Sequence, residues 1–233
     1  MLDARDDDAQ GAARYDGLSA WYDQRLGKFS REAGEAIERL LGPGAGSCLD
    51  LCCGTGVHLE TIARLGWRLT GIDISRDQLR MAAQRAPSGV VLVRGDAARL
   101  PYADGQFQAV VSMFSHTDVD DFAAVVREAA RVLEAGGPFV YAGIHPCFVG
   151  PHTRLVADQA VPDMFAGYRS AGRHMAGPGV SPDGLWAKVG GVHLTLSDLL
   201  NAFLDAGLAV ERFEERGDED YPRQVVLRAR RAV

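Results

Sequence analysis

Ser47-Cys48-Leu49-Asp50-Leu51-Cys52-Cys53-Gly54-Thr55-Gly56 is the stretch on which the fold turns. Its first half is a short apolar run, the pattern of a buried strand. It closes on Gly54-Thr55-Gly56, where the backbone can bend without a Cβ in the way. The residues that follow, Val57 to Leu65, carry helical spacing, with Val57, Thr61, Ile62 and Leu65 toward one face. Strand, glycine turn and helix together open a nucleotide-binding βα unit. The helix N-terminus of such a unit offers free N–H groups and a partial positive charge to an anionic ligand. Two further acids extend the pattern. Leu69-Thr70-Gly71-Ile72-Asp73 is a second strand ending in a carboxylate, 73 − 50 = 23 residues beyond Asp50. A carboxylate about 20 residues past the glycine turn is placed to grip a pair of ribose hydroxyls. Val90 to Ala97 is a third strand, and it ends at Asp96.

Working outward, Met1 to Arg14 is expected to be a mobile tail, and residues 15–233 a single domain. Residues 15–41 form its entry: the aromatic segment Tyr15 to Asp23, then a short helix Ala33 to Leu41 stopped by Gly42-Pro43-Gly44. Arg76 to Arg85 is helical and ends before Pro87. Phe107 to Met113 is a fourth strand whose unbroken apolar run suits the middle of a sheet. Val119, Phe122, Val126, Ala129 and Leu133 recur at helical spacing behind an expected N-cap at Thr117 or Asp118. Phe139 to Ile144 is a fifth strand. From residue 145 to 192 the periodicity dissolves, and an irregular segment of that length reads as a substrate-pocket insertion. Leu196 to Ala206 is a helix closed by Gly207, and Leu208 to Phe213 and Gln224 to Leu227 are the last two strands. The fold class is α/β. It is a Rossmann-like, seven-stranded, mostly parallel sheet with helices on both faces and a C-terminal antiparallel hairpin.

These residues resemble the class I S-adenosylmethionine-dependent methyltransferases of the small-molecule type. Asp50 to Gly56 looks like the first motif of that family, Asp73 its ribose-binding acid and Gly95-Asp96-Ala97 its adenine-binding turn. Leu133-Glu134-Ala135-Gly136-Gly137 looks like the segment before its fifth strand. The likeness implies S-adenosyl-L-methionine as cofactor. It assigns Asp50, Cys52, Gly54, Gly56, Asp73, Ile74, Asp96, Ala97 and Met113 to its site, with Tyr22 in a lid over cofactor and substrate. In this reading Gly54 and Gly56 let the backbone approach the ligand, and Ile74 and Met113 flank the adenine or the methionine arm. Cys52 stands where the family usually has glycine, and is expected to be a packing substitution. A dehydrogenase fingerprint would need a third glycine at Leu59, and a P-loop would need Gly-Lys-Ser/Thr; neither is present.

Composition narrows the function further. Net charge is −6, which disfavours nucleic acid as a partner. No apolar run is long enough to span a bilayer, and the acidic start lacks a signal-peptide core. The four cysteines have no CxxC spacing and read as reduced thiols, so a cytoplasmic monomer or homodimer is expected. No metal is expected, because no ligand pair stands at metal-site spacing. A general base is useful when the methyl acceptor carries a proton. His145, His116 and His193 are the candidates, the first two because they follow strand tips; Tyr22 and Tyr168 stand behind them. The expected activity is methyl transfer to oxygen or nitrogen of a small molecule in secondary metabolism. The alternative is a non-methylating member of the fold, a cyclase or decarboxylase that keeps the cofactor as a structural piece.

Overall fold

The computed structural model describes residues 13–156, 161–217 and 220–233, and of residues 26–32 the backbone only. The expected tail therefore lies outside the described residues except for Ala13 and Arg14, which pack against the rest of the chain. In chain order the elements are α1 (Ser19–Leu41), β1 (Ser47–Leu51), α2 (Leu59–Arg64), β2 (Arg68–Asp73), α3 (Arg76–Arg85) and β3 (Val91–Arg94). Then come β4 (Ala109–Met113), α4 (Phe122–Val132) and β5 (Pro138–Ile144). The insertion holds β6 (Thr153–Arg154), β7 (Asp163–Met164), β8 (Gly172–His174), α5 (Leu185–Val189) and β9 (Gly191–His193). The chain closes with α6 (Leu196–Asp205), β10 (Leu208–Arg216) and β11 (Gln224–Arg231).

Seven strands form one sheet in the order β10-β11-β5-β4-β1-β2-β3. β1 pairs in parallel with both β2 and β4, while β11 runs antiparallel to β5 and to β10. The strand order reverses beside β1, so the carboxyl ends of β1 and β4 flank the crevice where ligands of such sheets lie. β1 and β4 are buried along nearly their whole length, as strands covered on both faces must be. Alternation then sorts β1 between two cores. Leu49 and Leu51 pack on the α4 and α6 side with Phe122, Val126 and Phe203. Cys48 packs on the other side with Ile37, Leu59 and Leu79.

Several boundaries differ from the sequence reading for local reasons. The aromatic segment and the short helix that follows it merge into one helix, α1, of 23 residues. Its C-terminal half is fixed by Ala33, Ala36, Ile37 and Leu40 buried against the sheet, which outweighs the poor helix propensity of Gly34. α2 begins at Leu59 rather than Val57, and Val57 is exposed. α4 begins at Phe122, because Asp121, not Thr117 or Asp118, caps it: its carboxylate accepts from Ala124 N at 2.8 Å. That leaves Thr117 and Asp118 in the loop after β4. The insertion is not featureless, since β6–β7 and β8–β9 are two small antiparallel ribbons. Strands of two or three residues are too short to carry a readable alternation. The last hairpin is longer than expected at both strands, and part of its turn, residues 218 and 219, lies outside the described residues.

Gly56 has a role other than the one its motif suggests. Its φ of +79° is left-handed, and a Cβ there would stand 2.7 Å from Leu59 Cδ1 and 2.9 Å from Ala82 Cα. It lets α3 approach the glycine turn. Gly56→Ala combines backbone strain with a clash against main chain, and is expected to destabilise by about 1–3 kcal/mol. For a domain of this size that is a fall of roughly 2–4 °C in Tm per kcal/mol, and an unchanged melting curve would refute this role.

Candidate active site

Two adjoining cavities open at the carboxyl ends of β1, β2 and β4. The larger, about 430 Å³, is lined by Asp73, Ile74, Asp96, Ala97, Tyr15 and Asp118 among others. The smaller, about 50 Å³, is lined by Asp50, Cys53, Thr55 and His58 among others. Tyr22, Cys52, Gly54 and Met113 belong to both, so the two form one elongated cleft. Every expected cofactor residue lines this cleft except Gly56, whose contacts are to Leu59 and α3.

Asp73 organises the turn. Its Oδ2 accepts from Gly54 N and its Oδ1 from Ser75 N, each at 2.9 Å. A carboxylate has about four lone-pair sites, so ribose hydroxyls can still be accepted on the same oxygens. Burial raises the Asp73 pKa, and the donating N–H groups of Ser75 and Gly54 partly restore its charge. Asp96 Oδ1 accepts from Ala98 N at 2.9 Å, which closes the loop after β3. Cys52 occupies a left-handed backbone with φ of 60°. That is a conformation a glycine adopts freely, and burial pushes its thiol well above the ordinary range, which disfavours the thiolate. Cys52→Gly is expected to keep or improve cofactor binding and to leave Tm unchanged or higher. Loss of binding in that variant would show that the sulfur makes a required contact.

Asp50 is the telling group. It is 2% exposed at the end of β1, and its Oδ2 has no hydrogen-bond partner. Burial, and secondarily the nearby charge of Asp73, push it up to about 8. A second raised carboxyl, Asp118, stands at about 7, chiefly through burial. Buried carboxyls without a cation are under strain that a bound cation relieves. S-adenosylmethionine carries a cationic sulfonium and an ammonium group, with a ribose diol and an adenine at the other end. An orphaned acid at the narrow end, a buried acid with free lone pairs in the middle and an acidic loop at the wide end suit that distribution. The residues present therefore fit the cofactor.

The entry segment closes one side of the cleft. Asp23, on α1, accepts from Thr55 Oγ1 at 2.8 Å and pairs with Arg85 at 2.5 Å. Asp16 accepts from Ser75 Oγ at 2.6 Å, and Asp77 accepts from Gly17 N at 2.8 Å. Tyr15 and Tyr22 meet edge to face, with ring centroids 5.0 Å apart. Tyr15 donates to Asp118 Oδ1 at 2.5 Å, and Arg14 pairs with Asp120 at 2.7 Å.

The three candidate histidines are not brought together in the cleft. His116 is 1% exposed, lies 2.5 Å from the Tyr141 hydroxyl through Nδ1, and is driven down to about 3 by burial and then by His193. It is six residues ahead of α4, not at that helix's N-terminus. His145 has both ring nitrogens engaged, Nε2 with Glu215 at 2.7 Å and Nδ1 accepting from Cys147 N at 3.2 Å. His193 donates from Nε2 to Tyr168 O at 2.7 Å and sits beside His152, ring centroids 4.9 Å apart, within the insertion. None of the three lines either cavity. The Tyr168 hydroxyl accepts from Leu196 N at 2.8 Å, away from the cleft. Asp118 does line the larger cavity, whereas the sequence offers it, with Thr117, only as a helix cap. Three acids within residues 118–121, where only one can cap, were the available signal. Among the described residues no group of three or more His, Cys, Asp or Glu could hold a metal ion.

Comparison with known proteins agrees with this geometry. Residues 48–137 match a family model described as a methyltransferase domain. A demethylmenaquinone methyltransferase of Mycobacterium marinum is 38% identical over 136 residues, 55% of this chain and 57% of that protein. One from Renibacterium salmoninarum is 32% identical over 156 residues, 64% of each chain. The chain thus spans less than two thirds of the length of several curated relatives it matches, from 40% to 64%. Among solved structures, an S-adenosylmethionine-dependent methyltransferase from Mesorhizobium loti superposes with a TM-score of 0.71 at 24% identity, over 93% of this chain and 99% of that one. The [4+2]-cyclase SpnF superposes with a TM-score of 0.63 at 20% identity, over 87% and 81%. At those identities the structures speak for the fold alone. With the motif residues seated in one cleft and the family model matched across them, residues 48–137 are a methyltransferase domain, and the chain as a whole has the fold of S-adenosylmethionine-dependent methyltransferases.

Proposed function

We propose that this chain transfers a methyl group to oxygen or nitrogen of a small molecule held in the cleft beside the cofactor. The observation that carries the reading is the unpartnered Asp50 Oδ2 at the narrow end of a cleft whose other end is Asp96. Bound there, the cofactor would supply an activated methyl on a sulfonium. Asp50 would hold its amino group, Asp73 its ribose, and Asp96 and the Ala97 N–H its adenine. Tyr22 and the entry segment exclude water, and the acceptor has to be aligned for an in-line displacement. The net charge of −6 supports a small-molecule acceptor over nucleic acid. No helix among the described residues is long and apolar enough to cross a membrane. On this reading the enzyme is cytoplasmic, monomeric or homodimeric, and serves secondary metabolism.

A second reading, an acceptor of the demethylmenaquinone kind, is favoured by the name of the curated relatives. Incubation with methyl-labelled S-adenosylmethionine and a panel of phenols, amines and quinols separates the two by where the label is found. Label in no acceptor, with a ring-closed or decarboxylated product instead, would point to the non-methylating alternative. A chelator in the same assay is expected to leave the rate unchanged; loss on chelation and recovery with a divalent ion would overturn a metal-free site.

A further inference from the structure

We propose that Asp118 is the general base of this cleft, and that its acceptor is a small hydroxyarene with a second oxygen beside the reacting hydroxyl. The inference rests on the methyl-transfer reading above and names its acceptor. Asp118 lines the larger cavity from the loop after β4, and it is released from capping α4 by Asp121. It is held in place rather than neutralised: the Tyr15 hydroxyl donates to its Oδ1 at 2.5 Å, and Thr117 Oγ1 lies 3.5 Å away. No histidine lines this cavity.

Several groups face Asp118 from the elements packed around it. Tyr15 and Arg14 come from the entry segment, Tyr22 from α1, Cys52 from the glycine turn, Asp73 from β2 and Tyr141 from β5. Arg14 is the one cation among them. Burial outweighs Arg14 and the Tyr15 hydrogen bond, so the carboxyl titrates at about 7 and can take a proton near neutral pH. The second polar feature is Arg14 Nη1, which is buried and has no hydrogen-bond partner, while Nη2 is taken by Asp120. Arg14 lines the same cavity. A buried N–H without an acceptor is a place for a ligand oxygen. The Tyr15–Tyr22 pair gives the cavity an aromatic wall, suited to a ring.

The step balances without a further reactant. The acceptor hydroxyl gives its proton to a carboxylate oxygen of Asp118. Its oxygen forms the new bond to the methyl carbon as the carbon–sulfur bond breaks, and that electron pair stays on sulfur. The neighbouring oxygen accepts from Arg14. Tyr15 is then a positioning residue.

Catechol is the probe, with 1,2-dimethoxybenzene as the control that has no proton to give. In the presence of S-adenosylhomocysteine the wild-type chain is expected to bind catechol and not the control. Asp118→Asn is expected to lose tenfold or more in catechol affinity. It should also lose about 10²–10⁴-fold in formation of 2-methoxyphenol and the acidic limb of the pH–rate profile near 7, with S-adenosylhomocysteine affinity within twofold of wild type. Tyr15→Phe removes a hydrogen bond that favours the ionised carboxylate, so its acidic limb should move to higher pH while turnover persists. Asp118→Asn with wild-type rate and limb would overturn the base. A wild-type chain that binds S-adenosylhomocysteine but not catechol would overturn the acceptor class. If Asp118→Asn does not fold, an unmoved limb in Tyr15→Phe overturns the proposal alone. Failure of the wild type to bind S-adenosylhomocysteine is a different result, and it removes the methyl-transfer reading beneath.

Discussion

Asp73→Ala is expected to weaken S-adenosylmethionine binding by about 1.5–3 kcal/mol, the range for hydrogen bonds to a charged group, or about 10- to 150-fold in Kd. The loss has two sources. Ribose hydroxyls would lose their acceptor, and Gly54 N and Ser75 N would lose theirs, each now 2.9 Å from an Asp73 oxygen. The glycine turn is therefore expected to loosen even without ligand, and Tm of the ligand-free chain should fall as well. Calorimetric titration and a melting curve read the two effects separately. Equal affinity in parent and variant would remove Asp73 from the cofactor site. A lower affinity with unchanged Tm would confine it to ligand contact.

Asp50→Asn is expected to have an effect of similar size with a distinctive pH dependence. In the folded, ligand-free chain Asp50 is raised to about 8 from an ordinary carboxyl value of 3.8. A carboxyl raised on folding binds its proton more tightly in the native state, so native stability falls as pH rises from the unfolded value toward the folded one. The Asp50 contribution is fully present below about pH 4 and is lost as pH rises to about 8. Asp73 and Asp118, also raised, act in the same direction, whereas Glu214, held down to about 2 by Arg39, contributes stability that is lost only at lower pH and adds little slope across this window. Cofactor binding reverses the Asp50 effect, because a bound ammonium favours the carboxylate. Between pH 6 and 8 the wild-type affinity should therefore strengthen with pH, and in Asp50→Asn the slope should flatten. Near pH 8 the variant should bind about 10- to 150-fold more weakly, again the range for a lost charge-assisted bond. A variant that keeps the wild-type slope would show that another group carries the linkage.

The parts of this molecule that were legible in the sequence are those set by short-range pattern. Asp50, Gly54 and Asp73 are fixed in one another's neighbourhood by a strand, a turn and the next strand, so spacing alone placed them. Met113 and Asp96 follow because every parallel strand delivers its C-terminal residue to the same edge of the sheet. What the sequence withheld depends on which partner a side chain finds across the fold. His145 follows a strand tip, yet Glu215 on β10, 70 residues away, takes its Nε2. His116 turns to Tyr141 and the apolar layer beneath it. Asp118 reads as a cap until the helix is seen to start later, at Phe122, with Asp121 as its cap. Gly56 reads as a ligand contact until α3 is seen packed over it. For the two histidines and Gly56 a long-range contact, and for Asp118 a competing cap three residues on, decides between roles that are alike in local sequence.

S-adenosylmethionine is expected to be held in this cleft by the carboxylates of β1 and β2. Isothermal titration of S-adenosylmethionine into the intact chain at pH 8 tests it most directly, with Asp50→Asn and Asp73→Ala alongside. The expected result is one site per chain, weakened about 10- to 150-fold by either substitution. Absence of binding to the wild-type chain, or binding that neither substitution alters, would contradict it.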